Sequence, residues 1–157
     1  MTNLWRIKLE EKLTIYGSVV PIPPNLQAEC GQGRMLISRP LDVQALIRTI
    51  PHGRVVTLEM LRSKLAHDAG TDICCPTNTG IFMRIVAEVS ELDGDTGAPY
   101  WRVVKNKGRL NAKYPGGAVQ QAKKLESEGL VVARNVHGAP ARLETFEACL
   151  FSGWELP

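Results

Sequence analysis

Pro51-His52-Gly53 breaks one run of helical periodicity and Pro76 opens another, so the middle of the chain is confined to short helices joined by tight connections. Before the break, Val43, Leu46, Ile47 and Ile50 recur at i, i+3, i+4 and i+7 behind Pro40-Leu41-Asp42, which predicts a helix over 40–50. After it, Arg54-Val55-Val56 reads as a short strand. Thr57 is placed as the N-cap of a second helix running through Leu58, Leu61, Leu65 and Ala66 to Gly70. A polar loop follows, and Pro76-Thr77-Asn78 caps a third helix with Ile81, Phe82, Ile85, Val86 and Val89 on one side and Arg84 and Glu88 elsewhere. Helix, short strand, helix, turn and helix is the order of a helix-turn-helix module, whose last helix enters a groove of DNA.

Tyr100 to Val104 and Arg109 to Leu110, joined by Asn106-Lys107-Gly108, are expected to pair as a hairpin wing. A fourth helix is expected over 118–128, ending at Gly129. A second hairpin, Val131–Ala133 with Ala141–Leu143, flanks His137-Gly138, and Thr145 caps a last helix from Phe146 to Phe151. At the other end, residues 3–13 suit an amphipathic helix, whereas Pro21, Pro23 and Pro24 make 19–24 extended. The expected fold class is therefore α/β, mostly α. A winged helix-turn-helix domain over 39–130 carries an N-terminal arm, 1–38, and a C-terminal hairpin extension, 131–157, packed on the same core.

With 157 residues and a net charge of +3, the chain can bury one core and its total charge does not announce a nucleic-acid binder. Distribution says more: Arg102, Lys105, Lys107, Arg109 and Lys113 fall in a window with no acidic residue, and Arg84 lies near if the third helix packs there. Such a run is equally the mark of a solvated surface. Cys30, Cys74, Cys75 and Cys149 show no CxxC spacing, and His52, His67 and His137 form no ligand set, so neither a metal nor a cofactor is expected. A reducing cytoplasm fits these cysteines best. No apolar run approaches 18 residues, which excludes a membrane helix.

Two stretches offer chemistry. Pro99-Tyr100-Trp101-Arg102 sets two aromatic faces beside a guanidinium, which suits stacking on a base and holding a phosphate, or else anchoring a core. Cys75 precedes the third helix, where the helix dipole would favour a thiolate; it is a weak candidate nucleophile, set against two small residues packing under a helix start.

Taken together, Ile50-Pro51-His52-Gly53-Arg54-Val55-Val56-Thr57, Pro99-Tyr100-Trp101-Arg102-Val103-Val104, Gly108, Tyr114-Pro115-Gly116-Gly117 and Lys124-Leu125-Glu126-Ser127-Glu128-Gly129 resemble the DNA-binding domain of the methylated-DNA-protein-cysteine methyltransferases over about residues 40 to 130. They are closer still to the alkyltransferase-like proteins. In that family the motif Pro-Cys-His-Arg carries the cysteine that accepts the alkyl group from a flipped O6-alkylguanine. Here Tyr100 stands at the cysteine position and Trp101 at the histidine position. A phenol with a pKa near ~10 and no neighbouring base is no acceptor, so the resemblance implies no alkyl transfer at Tyr100. Glu128 matches the glutamate that orients the family's histidine and is expected to have lost its partner.

The resemblance further implies binding to double-stranded DNA, with O6-alkylguanine as a lesion it recognises and a repair protein as a partner. Tyr100, Trp101, Tyr114, Pro115, Gly116 and Gly117 would line the lesion pocket. Thr79, Gly80, Arg84, Arg102, Lys105, Lys107, Arg109 and Lys113 would contact DNA. Two positions depart from the pattern: Thr79 replaces the arginine that fills the gap left by a flipped nucleotide, and Leu58 replaces a tyrosine that turns the phosphate. Arg102 has a second reading as a buttress of the wing, and Gly116-Gly117 as an ordinary helix entry. The expectation is a non-enzymatic binder of alkylated or distorted duplex DNA. The competing expectations are a thiol-dependent enzyme or alkyl acceptor using Cys75, and a protein-interaction module docking through the 1–38 and 130–157 segments.

Overall fold

The computed structural model describes residues 3–156. Its elements run α1 (Leu4–Glu10), β1 (Val19–Pro21), α2 (Pro24–Cys30), β2 (Arg34–Leu36), α3 (Pro40–Ile47), β3 (Val56–Thr57), α4 (Leu58–Ala69), β4 (Ile73–Cys74), α5 (Pro76–Asp93), β5 (Val103–Val104), α6 (Gly117–Ser127), β6 (Val132–Arg134), β7 (Pro140–Leu143) and α7 (Phe146–Cys149). Helices predominate over short strands, in line with the expected α/β, mostly α, class.

Local chemistry sets the helix ends. Thr57 Oγ1 accepts from Met60 N–H (3.1 Å) at the start of α4, and Gly70 ends it in the left-handed region. Pro76 occupies the first turn of α5, where its missing N–H is not needed. α4, the connection through β4 and α5 keep the helix-turn-helix order.

α5 is the central element. It buries Phe82, Met83, Ile85, Val86, Ala87 and Val89 against α1, α3 and the turn at Tyr100–Arg102. Burying each large apolar side chain contributes about 1.5–3 kcal/mol, so this one helix organises most of the core. Ile81, expected on the inner side, is 53% exposed, and Met83 takes its place inside. The buried arc is centred on Val86, and Ile81 lies off its edge.

The expected hairpin wing is not formed. Tyr100–Arg102 curls into a 3-10 turn, and the two residues after it pair in parallel with β3, Val56 opposite Val103 and Thr57 opposite Val104. Lys107, in the left-handed region at φ 61°, closes the loop through Gly108 N–H to Lys105 O (3.1 Å). Arg109 then bridges Arg142 on β7. Inward-drawn aromatics at 100 and 101 shorten the first strand, so its partner is found elsewhere.

Three further elements were not expected from the sequence: α2, β2 and β4. β1, β2 and β4 form a small sheet in which β2 runs antiparallel to β1 and parallel to β4. The last helix covers Phe146–Cys149 only, and Thr145, at φ 47°, makes no capping bond. Past it the chain returns to the middle of the fold. Val55 N–H donates to Cys149 O (2.9 Å), Phe151 N–H to Val55 O (2.8 Å), and Trp154 Nε1 to Thr49 Oγ1 (2.8 Å).

Gly97 lies hard against α5, where an added Cβ would stand 2.4 Å from Ser90 O and from Ser90 Oγ. Ser90 Oγ in turn donates to Ala98 O (2.6 Å), which fixes the entry to the Tyr100 turn. Gly97→Ala is expected to destabilise the fold by about 1–3 kcal/mol, measured by urea unfolding followed by circular dichroism.

Candidate nucleic-acid interface

The stretch from Tyr100 to Arg102 is closed, and its own neighbours satisfy it. Tyr100 is fully buried, edge-on to both Trp101 (5.4 Å between centroids) and Tyr114 (5.1 Å), and its hydroxyl donates to Glu91 Oε1. Burial, followed by the Glu91 carboxylate, pushes the Tyr100 phenol well above its ordinary range, and burial does the same to Tyr114. Neither is a nucleophile at neutral pH. Tyr114 donates its hydroxyl to Val103 O (2.9 Å).

Glu128, at the C-terminal end of α6, has not been left without partners. It accepts from Trp101 Nε1, from Arg102 Nε (3.0 Å to each carboxylate oxygen) and from Gly53 N–H (2.7 Å). The Trp101 indole supplies an N–H donor, and the Arg102 guanidinium supplies the charge. Arg102 Nη1 also donates to Ile50 O (2.7 Å). With side chains only 14% and 4% exposed, Arg102 and Glu128 form a buried ion pair that ties the Pro51-His52-Gly53 turn to α6. Arg102 is thus seated as the buttress, facing the interior. Trp101 lies between Arg102 (5.7 Å) and Lys124 (4.6 Å), each over its ring.

Buried Gln121 on α6 braces the same strand. Its Nε2 donates to Trp101 O (3.2 Å) and Val103 O (3.3 Å), and its Oε1 accepts from Asn111 N–H (2.7 Å). Gly116 and Gly117 both have positive φ, 72° and 67°, so the turn into α6 requires them by its backbone. Gly116 is exposed, with Pro115 and Gly117 half-buried.

An open groove of about 740 Å³ runs along the outer side of α5. Thr77, Gly80, Ile81 and Arg84 of α5 form its floor, Trp5 and Lys8 of α1 one wall, and Lys105, Asn111, Lys113 and Tyr114 the other. Its charged lining is Lys8, Arg84, Lys105 and Lys113 against Glu11 alone. Arg84 is exposed, lies 5.5 Å over the Trp5 ring, and has only a long contact with Glu88 (4.0 Å).

The structure therefore brings Gly80, Arg84, Lys105, Lys113 and Tyr114 of the expected set together at one groove. Lys107 and Arg109 stand exposed farther along the same loop. Thr79 faces inward, fully buried, and its hydroxyl donates to Cys75 O (2.8 Å). Trp5, Lys8, Ile81 and Asn111 were missed. Trp5 and Lys8, three apart on one helix face, were the available signal, but nothing in the sequence says which element α1 covers.

Cys74 and Cys75 are both buried. Burial raises the Cys74 thiol above its ordinary range, and its Sγ lies 3.5 Å from Thr79 Oγ1. Cys75 packs among Ile22, Met35 and Ile37. His52, His67 and His137 are exposed, and no group of three or more metal-binding side chains occurs among the described residues. No described helix is long and apolar enough to cross a membrane.

Removing one member of the buried pair strands the other. Glu128→Ala is expected to cost about 3–5 kcal/mol of stability, read from denaturant unfolding. Because the Tyr100 and Tyr114 phenols are raised in the folded state, their contribution is complete below the unfolded tyrosine pKa of about 10 and declines as pH climbs above it. Thermal melting followed from about pH 9 to about pH 12, around the ordinary tyrosine range, should fall with rising pH, and less steeply in Tyr100→Phe.

No protein-family model matches the sequence, and no curated protein matches it either. Among solved structures it is similar to S. pombe Atl1 in complex with damaged DNA containing O6-carboxymethylguanine and to S. pombe ATL in complex with DNA. In both cases the TM-score is 0.52 at 20% identity, over 71% of this chain and 93% of the other. The chain has the alkyltransferase-like fold that its motifs resembled.

Proposed function

We propose that this protein binds duplex DNA along the α5 groove, as an alkyltransferase-like protein of DNA repair that recognises alkylated or distorted duplex without accepting an alkyl group. The observation that carries the proposal is the split between two neighbouring features. The former reactive centre is filled by a buried phenol, while the outer side of α5 stays open between basic side chains. The S. pombe structures of the same fold, solved with DNA, support the same reading.

In this reading Lys105, Lys113 and Arg84 neutralise backbone phosphates and set a salt-dependent affinity. Gly80, with nothing within 4 Å of where a Cβ would stand, leaves room for the DNA to approach α5 closely. Exposed Ile81 beside it offers an apolar edge to a distorted base step. Recognition of a distortion at this edge needs no base to enter the space that Tyr100 and Trp101 occupy. DNA whose stacking is already weakened by a lesion costs less to deform there.

Fluorescence anisotropy of the full chain with labelled duplexes tests this. Tight binding at low salt, a preference for an O6-methylguanine duplex over its guanine counterpart, and a salt slope lowered by about 0.9 for each of Lys105→Ala and Lys113→Ala are expected. Absence of binding at low salt removes DNA as the partner, and equal affinities remove the lesion. Intact-protein mass should be unchanged after incubation with the alkylated duplex. A mass increase localised to Cys75 would establish the thiol reading instead.

A further inference from the structure

Arg109 and Arg142 sit directly opposite each other in an antiparallel bridge, with Leu110 N–H donating to Ala141 O (3.0 Å). That bond alternates with the Arg109–Arg142 position, which is therefore the pair type without mutual hydrogen bonds, where facing side chains come closest. Like charges in this arrangement repel. Both arginines are exposed, and neither forms a salt bridge among the described residues. The hydrogen bond that Arg109 makes with its side chain goes to Asn106 O (3.3 Å). On the far side of β7, Arg142 faces uncharged Ala133, and Glu144 lies just past the end of the strand, two residues from Arg142.

The pair is held in place from below. Leu110 and Leu143 are buried beside it, and Gly108 presses on Phe146 so closely that a Cβ there would lie 2.7 Å from the Phe146 Cβ. An anion between two such guanidiniums offsets their repulsion, and the planar fork of each matches the oxygens of a phosphodiester. The pair also continues the proposed interface, because Lys105 borders the groove and Lys107 stands at the tip of the loop that leads from it to Arg109.

We propose that Arg109 and Arg142 form a phosphate clamp that holds the DNA backbone beyond the α5 groove, so that the β6–β7 hairpin extends the footprint in place of the wing that residues 100–110 do not make. This rests on the DNA-binding reading and adds a second anchoring point to it.

The test is the salt dependence of duplex binding by the full chain. Arg109→Ala with Arg142→Ala should lower the slope of log affinity against log salt by up to about 2, at about 0.9 for each phosphate no longer neutralised. Its melting temperature should be no lower than that of the parent, because a like-charge repulsion has been removed. Should the double variant fold poorly, Arg142→Gln alone is expected to lower the slope by about 0.9. An unchanged slope in a folded variant, in a protein whose Lys105→Ala and Lys113→Ala variants do lose slope, overturns the clamp and leaves the groove intact. A parent chain that binds no duplex at low salt removes both.

Discussion

A single buried carboxylate closes the centre of this fold. Glu128 takes N–H groups from Gly53, Trp101 and Arg102, and Arg102 reaches on to Ile50 O. These contacts join the turn after α3, the turn before β5 and the end of α6, three pieces separated by up to 78 residues in sequence, the distance from Ile50 to Glu128. A charge this deep is tolerable only with its hydrogen bonds made, and here both carboxylate oxygens are engaged. The geometry gives Arg102 and Glu128 a structural role that does not depend on any chemistry at Tyr100 or Trp101. Those two residues hold the scaffold together whatever stands beside them.

Tyr100 and Trp101 fit the space and the bonds available to them. The indole offers one N–H to Glu128, so the carboxylate is not orphaned. A buried tyrosine has a hydroxyl to satisfy, and Glu91 of α5 satisfies it. The result is an aromatic cluster of Tyr100, Trp101 and Tyr114 arranged edge to face, a geometry that contributes beyond simple area burial. This place is rigid and fully bonded, and the open groove lies on the outer side of the helix that the cluster supports.

Much of this was legible in the sequence and some was not, for physical reasons. The helices α3 to α6 follow from periodicity and caps, because Pro40, Thr57, Pro76 and Gly70 act locally. The hairpin at β6–β7 was likewise signalled by His137-Gly138 between two apolar runs. The wing failed because Val103 and Val104 have no local feature that selects an antiparallel neighbour at 109–110 over a parallel one at 56–57. Ile81 and Thr79 were misplaced for a related reason: a helix buried over so wide an arc leaves only a narrow exposed strip, and its edge is set by the neighbours that pack on it. The partners of Glu128 were missed because a tryptophan was read as a lost histidine and not as a hydrogen-bond donor. The groove was half legible, through Arg84, Lys105 and Lys113, while the wall built from Trp5 and Lys8 depends on a long-range docking of α1.

The return of the C-terminal segment to the middle of the molecule bears on how the chain reaches this state. Val55 is enclosed on both sides by bonds to Cys149 and Phe151, and Thr49 is closed over by Trp154. Chains emerge N-terminus first and domains tend to fold as units, so Val55 lacks its partners until residue 151 has left the ribosome, and Thr49 lacks its own until residue 154 has. Pairing of such distant segments also raises the contact order and slows folding. The segment after β7 therefore acts as a latch, and the helical frame waits, partly assembled, for residues 149–154.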